Sequence, residues 1–262
     1  MEQRRWLKIA ILMSLLAMSC SRELKVKHKD NLPVYNHTIA TILVEYASAV
    51  YLSDLTELFT WTCSRCDDLT EGFEVIELIV DVEHCLQGFV GVAKDLNVNH
   101  ETQNVQVVTF GQPRIGNSAF VAYYSELVPN TFRVTNEHDI VPHLPPYYPH
   151  LTQKTYHHFP TEVWLYNAGF GSLVYPVEKV CDDSGEDPSC SRSVMGNSIS
   201  DHLEYYGVEL GGDTPRTCRI VMDPRVAEYG VQDLGGNFIL SRDPSTSVVK
   251  LKIESSIPSN VI

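Results

Sequence analysis

Two residues able to act together sit at the ends of separate segments. Asp139 follows the β-branched and aromatic run Thr131 to Thr135, just before a proline-rich stretch that begins at Pro142. His202 follows Asp201 in a segment opened by Ser198. A carboxylate carried to a loop at a strand end, offered an imidazole, is the acid–base half of a nucleophilic hydrolysis site. The other half is missing: no G-x-S-x-G occurs anywhere in the sequence. Gly116-Asn117-Ser118-Ala119-Phe120 and Gly196-Asn197-Ser198-Ile199-Ser200 each lack the second glycine, and their serines read as helix caps. Taken singly, Asp139 also fits a turn cap before Pro142, and His202 an ordinary surface histidine.

The elements that must position this pair follow from hydrophobic period. Val105 to Phe110 and Thr131 to Thr135 read as strands. Between them Ser118 to Leu127 fits a helix, capped by Asn117 or Ser118, with Phe120, Tyr123, Tyr124 and Leu127 on one side. Upstream, Ile39, Ile42, Leu43, Tyr46 and Val50 fall on one helical face, and Ser53-Asp54 can cap a short helix through Phe59. Phe73 to Val92 reads as a hairpin, which needs a third strand to be stable. Downstream, Thr155 to Leu165 reads as a strand bent by Pro160, and Ser198 to Tyr206 as a helix. Residues 221–262 read as a polar tail, in which Val248, Val249, Leu251 and Ile253 alternate like an edge strand or are disordered.

Composition bounds the rest. A chain of 262 residues suits one large α/β domain. Its net charge of −13 argues against nucleic acid or an anionic membrane as an electrostatic partner. Part of that acid lies between Cys181 and Cys190, which reads as a solvated loop closed by a disulfide. Residues 1–21 have the basic, apolar and small-residue layout of a signal peptide, with a signal anchor as the alternative, and residues 22–34 form a basic leader. Removing Cys20 with that segment leaves an even set of six cysteines from the seven, which suits disulfides in a secretory compartment. Cys63-Ser64-Arg65-Cys66 has no second C-x-x-C to complete a zinc site. His138, His143, His157 and His158 are irregularly spaced around prolines and read as structural or surface residues, so neither a metal nor a cofactor is expected. Asn36-His37-Thr38 is a glycosylation sequon. Pro145-Pro146-Tyr147-Tyr148-Pro149 reads either as a rigid surface loop or as part of an acyl site.

Phe110-Gly111-Gln112-Pro113-Arg114-Ile115-Gly116-Asn117 and Arg133 to Pro142 resemble the class 3 (fungal-type) lipases, as do Tyr156 to Trp164, Asp201 to Gly207, the Tyr46 to Tyr51 helix and the Trp61 to Cys66 segment. The resemblance runs over about residues 35–220. It implies an α/β-hydrolase fold, lipid esters or a lipid–water interface as partner, Asp139 as triad acid and His202 as triad base. It also implies a strand with an oxyanion-hole motif, a lid helix and the serine elbow between the hairpin and the Val105 strand. Here Asp95-Leu96-Asn97 leads almost directly from one to the other. The expected fold is therefore α/β-hydrolase with a truncated central sheet, as a skipped stretch of coding sequence would leave. Three functions follow: a lipid-ester hydrolase by descent whose nucleophile belongs to a longer form, a secreted non-catalytic binder of lipid or protein, or a truncated product.

Overall fold

The computed structural model describes residues 34–81, 83–93, 106–151, 155–170, 173–212, 221–232, 237–243 and 249–250. The signal-peptide segment and nearly all of the leader lie outside them.

Helix α1 (His37–Ala49) begins where Asn36 Oδ1 accepts from Ile39 N at 3.1 Å. That cap uses the amide oxygen of the sequon's asparagine. The buried stripe is Ala40, Val44 and Ser48, one residue round from the face expected at Ile39 and Ile42; Ile39 is exposed. Small residues four apart let two layers of strands approach this helix from either side. Tyr46 and Ala49 pack into one apolar cluster with Leu55, Phe59, Val75, Leu78 and Leu240. Val44 and Ala47 pack into another with Phe132, Val134, Val163 and Tyr205. Helix α2 (Leu55–Thr60) follows, capped by Asp54 as its sequence implies.

The first cluster lies on a five-stranded antiparallel sheet in the order β11-β9-β10-β1-β2. Its hairpin is β1 (Phe73–Asp81) and β2 (Leu86–Ala93). The third strand this hairpin needs comes from the far end of the chain: β10 (Phe238–Ser241) pairs with β1, flanked by β9 (Gly230–Gln232) and β11 (Val249–Lys250). Residues 221–243 are thus not a tail. Val226 and Leu240 are buried, and Arg242 donates to Val75 O and Phe59 O. Two or three apolar residues in a polar stretch suffice when the partner strand is already formed.

The second cluster lies on a four-stranded sheet in the order β3-β4-β5-β6. Strands β3 (Gln106–Phe110), β4 (Asn130–Asn136) and β5 (Glu162–Phe170) run parallel, with α3 (Ser118–Leu127) as the crossover between the first two. Asn117 caps α3, its side chain accepting from Phe120 N. Strand β6 (Leu173–Val180) turns back antiparallel on β5 and was not legible in the sequence. β2 is the edge of one sheet and β3 the edge of the other, and only residues 94–105 connect them. The arrangement is mixed α/β, with the two larger sheets separate. Cys63–Cys66 and Cys181–Cys190 are disulfides.

Candidate acid–base site

Asp139 lies just beyond the C-terminal end of β4, as the parallel strands place it. Its side chain is 1% exposed and surrounded by donors. Val141 N gives a hydrogen bond to Oδ1 at 2.8 Å. Oδ2 takes two, from His202 Nδ1 at 3.0 Å and from the Tyr205 hydroxyl at 2.6 Å. A buried carboxylate is tolerable only with such partners. Burial, followed by the charge of Asp139, pushes the Tyr205 hydroxyl far above its ordinary range, so it stays protonated and donates.

His202 is carried by a turn, not by the helix that Ser198 to Tyr206 suggests. Ser198 Oγ accepts from Asp201 N at 3.0 Å, and His202 N donates to Ile199 O. The chain then reverses in a two-residue hairpin between β7 (Glu204–Tyr205) and β8 (Val208–Glu209). Tyr206 and Gly207 take φ of 55° and 79°, the left-handed pair of a tight hairpin turn, which stops a helix at this point. This turn is stitched to the Asp139 loop. His138 N donates to Asp201 Oδ2, Ile140 N to Ser198 O, and Asn136 Nδ2 to Glu204 O at 2.8 Å. The pair sequence reasoning singled out is therefore brought together across 63 residues of chain.

Gly111, at the end of β3, forms the floor. Its φ is +62°, and a Cβ there would lie 2.6 Å from His202 Nδ1 and 3.0 Å from Asp139 Oδ2. No side chain fits. Gly111 and Tyr205 both fall inside motifs visible in the sequence, yet neither was singled out; a glycine at a strand end beside an acid is the signal that could have found the first.

The acidic loop is not simply solvated. Glu186 and Asp187 are buried. Arg114 forms a bidentate pair with Glu186, at 2.7 and 2.8 Å, while its other nitrogen donates to His143 O and Pro145 O. One arginine so joins the disulfide-closed loop to the loop that follows Asp139. Arg114 and Arg192 also lie over the Tyr147 ring, which braces the proline-rich stretch. His143 sits between Asp139 O and Val194 O, and His158 Nε2 reaches Pro142 O at 2.7 Å. These histidines hold loops. Among the described residues, Cys181, Asp187 and Cys190 have metal-ligand spacing, but both thiols are spent in a disulfide.

His202 is 31% exposed, and Nε2 faces away from Asp139. Among the described residues no hydroxyl or thiol hydrogen-bonds to it. Ser198 is engaged with Asp201 N and Ser200, and Ser118 stands at the start of α3. A cavity of about 500 Å³ opens behind the turn, lined by Glu137, Glu178, Glu204 and Tyr206, and contains neither Asp139 nor His202.

Residues 91–148 match the family model described as Lipase (class 3). The chain is 35% identical to Lipase ZK262.3 of Caenorhabditis elegans, over 42% of this chain and 37% of that protein. It is 33% identical to a lipase of Rhizomucor miehei, over 42% of this chain and 28% of that one. It is 30% identical to a secreted mono- and diacylglycerol lipase of Fusarium solani, over 47% and 35%. The solved Rhizomucor miehei triacylglyceride lipase is 38% identical, covering 41% of this chain and 37% of that one, with a TM-score of 0.33. The chain thus spans little more than a third, at most, of the length of these relatives. Among the described residues no helix is long and apolar enough to cross a membrane.

Proposed function

We propose that this chain, a relative of the class 3 lipases of α/β-hydrolase type, carries the acid–base half of an acylglycerol ester hydrolysis site and turns over no ester by itself. The observation that carries the reading is the buried Asp139 carboxylate holding His202 Nδ1 at 3.0 Å, with no serine at Nε2 among the described residues. With Nδ1–H donating to Asp139, the lone pair lies on Nε2. A serine hydroxyl delivered there would lose its proton to Nε2 as it attacked a carbonyl carbon, and Asp139 would stabilise the resulting imidazolium. In this reading, without that hydroxyl the pair has nothing to activate, and the developing oxyanion needs donors from the same missing segment. In this reading both belong to a segment between β2 and β3 that a longer, secreted form of the protein contains.

Release of 4-nitrophenol from 4-nitrophenyl butyrate and of acid from tributyrin tests this, comparing the purified chain with His202→Ala. Equal, background rates are expected. A rate ten or more times about that of the variant would overturn the reading. A second reading, a lipid-binding protein without turnover, is favoured by one feature: the apolar end of the β5–β6 hairpin, where Phe170 and Leu173 are exposed.

A further inference from the structure

Asn36-His37-Thr38 is the only N-x-S/T triplet, with x other than proline, in the 262 residues. The fold gives it a defined place. Asn36 is the N-cap of α1, with φ −125° and ψ 109°, and the helix starts at His37. The residues on either side are tied to the same distant tyrosine. The Tyr35 hydroxyl meets the Tyr206 hydroxyl, and the His37 ring packs edge-on against the Tyr206 ring at 5.7 Å. His37 Nδ1 also contacts Glu178 Oε1 at 2.5 Å. Between these two anchors Asn36 is exposed, and so is Thr38, whose hydroxyl completes the triplet.

The two ends of the Asn36 amide are free to do different work. Oδ1 accepts from Ile39 N at 3.1 Å and so satisfies one of the amides that the first helical turn leaves without a partner. Among the described residues no hydrogen bond engages Nδ2. An N-glycosidic bond needs Nδ2 alone. The nitrogen gives one proton to a base of the transferase and bonds to the anomeric carbon of a lipid-pyrophosphate-linked oligosaccharide, and the lipid pyrophosphate departs. The product is still an amide with its carbonyl oxygen in place, so the helix cap survives the modification. The sugar extends a side chain that is already exposed, so it displaces no packed group. The Cys63–Cys66 and Cys181–Cys190 disulfides suit the oxidising compartment in which this transfer takes place.

We propose that Asn36 Nδ2 carries an N-linked oligosaccharide in the folded protein while Oδ1 continues to cap α1. This rests on the secreted form proposed above and on none of its chemistry, so a chain that turned over ester would leave it standing. The full chain is translated with endoplasmic-reticulum microsomes behind an added, cleavable signal peptide, so that entry does not depend on residues 1–21, and protease is then applied from outside. Protected chains are expected to run one glycan heavier on a gel and to lose that step to peptide N-glycosidase F. Asn36→Asp and Thr38→Ala each destroy the triplet but keep a capping oxygen at position 36, so loss of the glycan is read apart from loss of the cap. Both should run at the unmodified mass, and Thr38→Ser should keep the step. The glycosylated chain secreted from insect cells should match the circular dichroism and urea midpoint of Asn36→Asp. Protected parent chains without a glycan, or a glycan that persists in Thr38→Ala, would overturn the proposal. So would a glycosylated form confined to aggregates while Asn36→Asp folds, which would show that sugar and cap are incompatible.

Discussion

Gly111 and His202 share one contact surface: a Cβ on the glycine would stand 2.6 Å from the imidazole Nδ1. The strand end that carries Gly111 and the turn that carries His202 are therefore matched in shape before any substrate arrives. Gly111→Ala should strain a left-handed residue and displace the ring at once. A loss on the order of 2 kcal/mol or more in urea unfolding is expected, together with faster modification of His202 by diethyl pyrocarbonate.

Tyr205 is a positioning residue for the same carboxylate. Tyr205→Phe keeps the ring against Phe110, 5.6 Å away between centroids, and removes only the hydroxyl that donates to Asp139. A buried acceptor loses one of its donors, so stability should fall by about 1–3 kcal/mol. The His202 Nδ1–H proton resonance should also move in this variant, because Asp139 Oδ2 then accepts from His202 alone of the two.

The Arg114–Glu186 pair should behave as a buried unit. Arg114→Met leaves the buried Glu186 without its ion-pair partner, as Glu186→Gln leaves Arg114, and each should cost about 3–5 kcal/mol. The double variant Arg114→Met, Glu186→Met should recover a large part of that loss. A double-mutant cycle in guanidinium chloride checks the coupling.

Stability should fall in mild acid through His158. Burial, then the nearby charges of Arg133 and Arg114, holds its imidazole well below the ordinary value of 6.5. Above that pH both folded and unfolded forms are neutral, and the full stability is present. As the pH falls below it, the unfolded chain takes up a proton that the folded chain refuses. Stability then declines by up to about 1.4 kcal/mol per pH unit until the folded pKa is reached. His158→Asn should flatten that part of the urea-midpoint profile.

The β3–α3–β4 unit was legible because its period switches plainly from strand to helix and back, and Asn117 marks the start of α3. Asp139 and His202 were legible from motif order; neither carries a local signal that separates it from a turn cap or a surface histidine. The turn under His202 was misread because Ile199, Leu203 and Tyr206 fall at helical spacing, and only the left-handed Tyr206-Gly207 pair decides against it. Glu186 was misread because an acidic loop looks solvated until its partner is known, and Arg114 lies 72 residues away. Strand β6 was missed because its apolar residues at the tip are exposed, so no alternation of buried and exposed positions marks it. The role of residues 221–243 depends on β1, a strand formed much earlier in the chain.

The central claim is a formed acid–base pair that lacks a nucleophile. Labelling the folded chain with a fluorophosphonate and reading its intact mass tests it most directly. The account predicts no adduct, in the parent chain and in His202→Ala alike. One adduct per chain on a single serine, lost in His202→Ala, would contradict it.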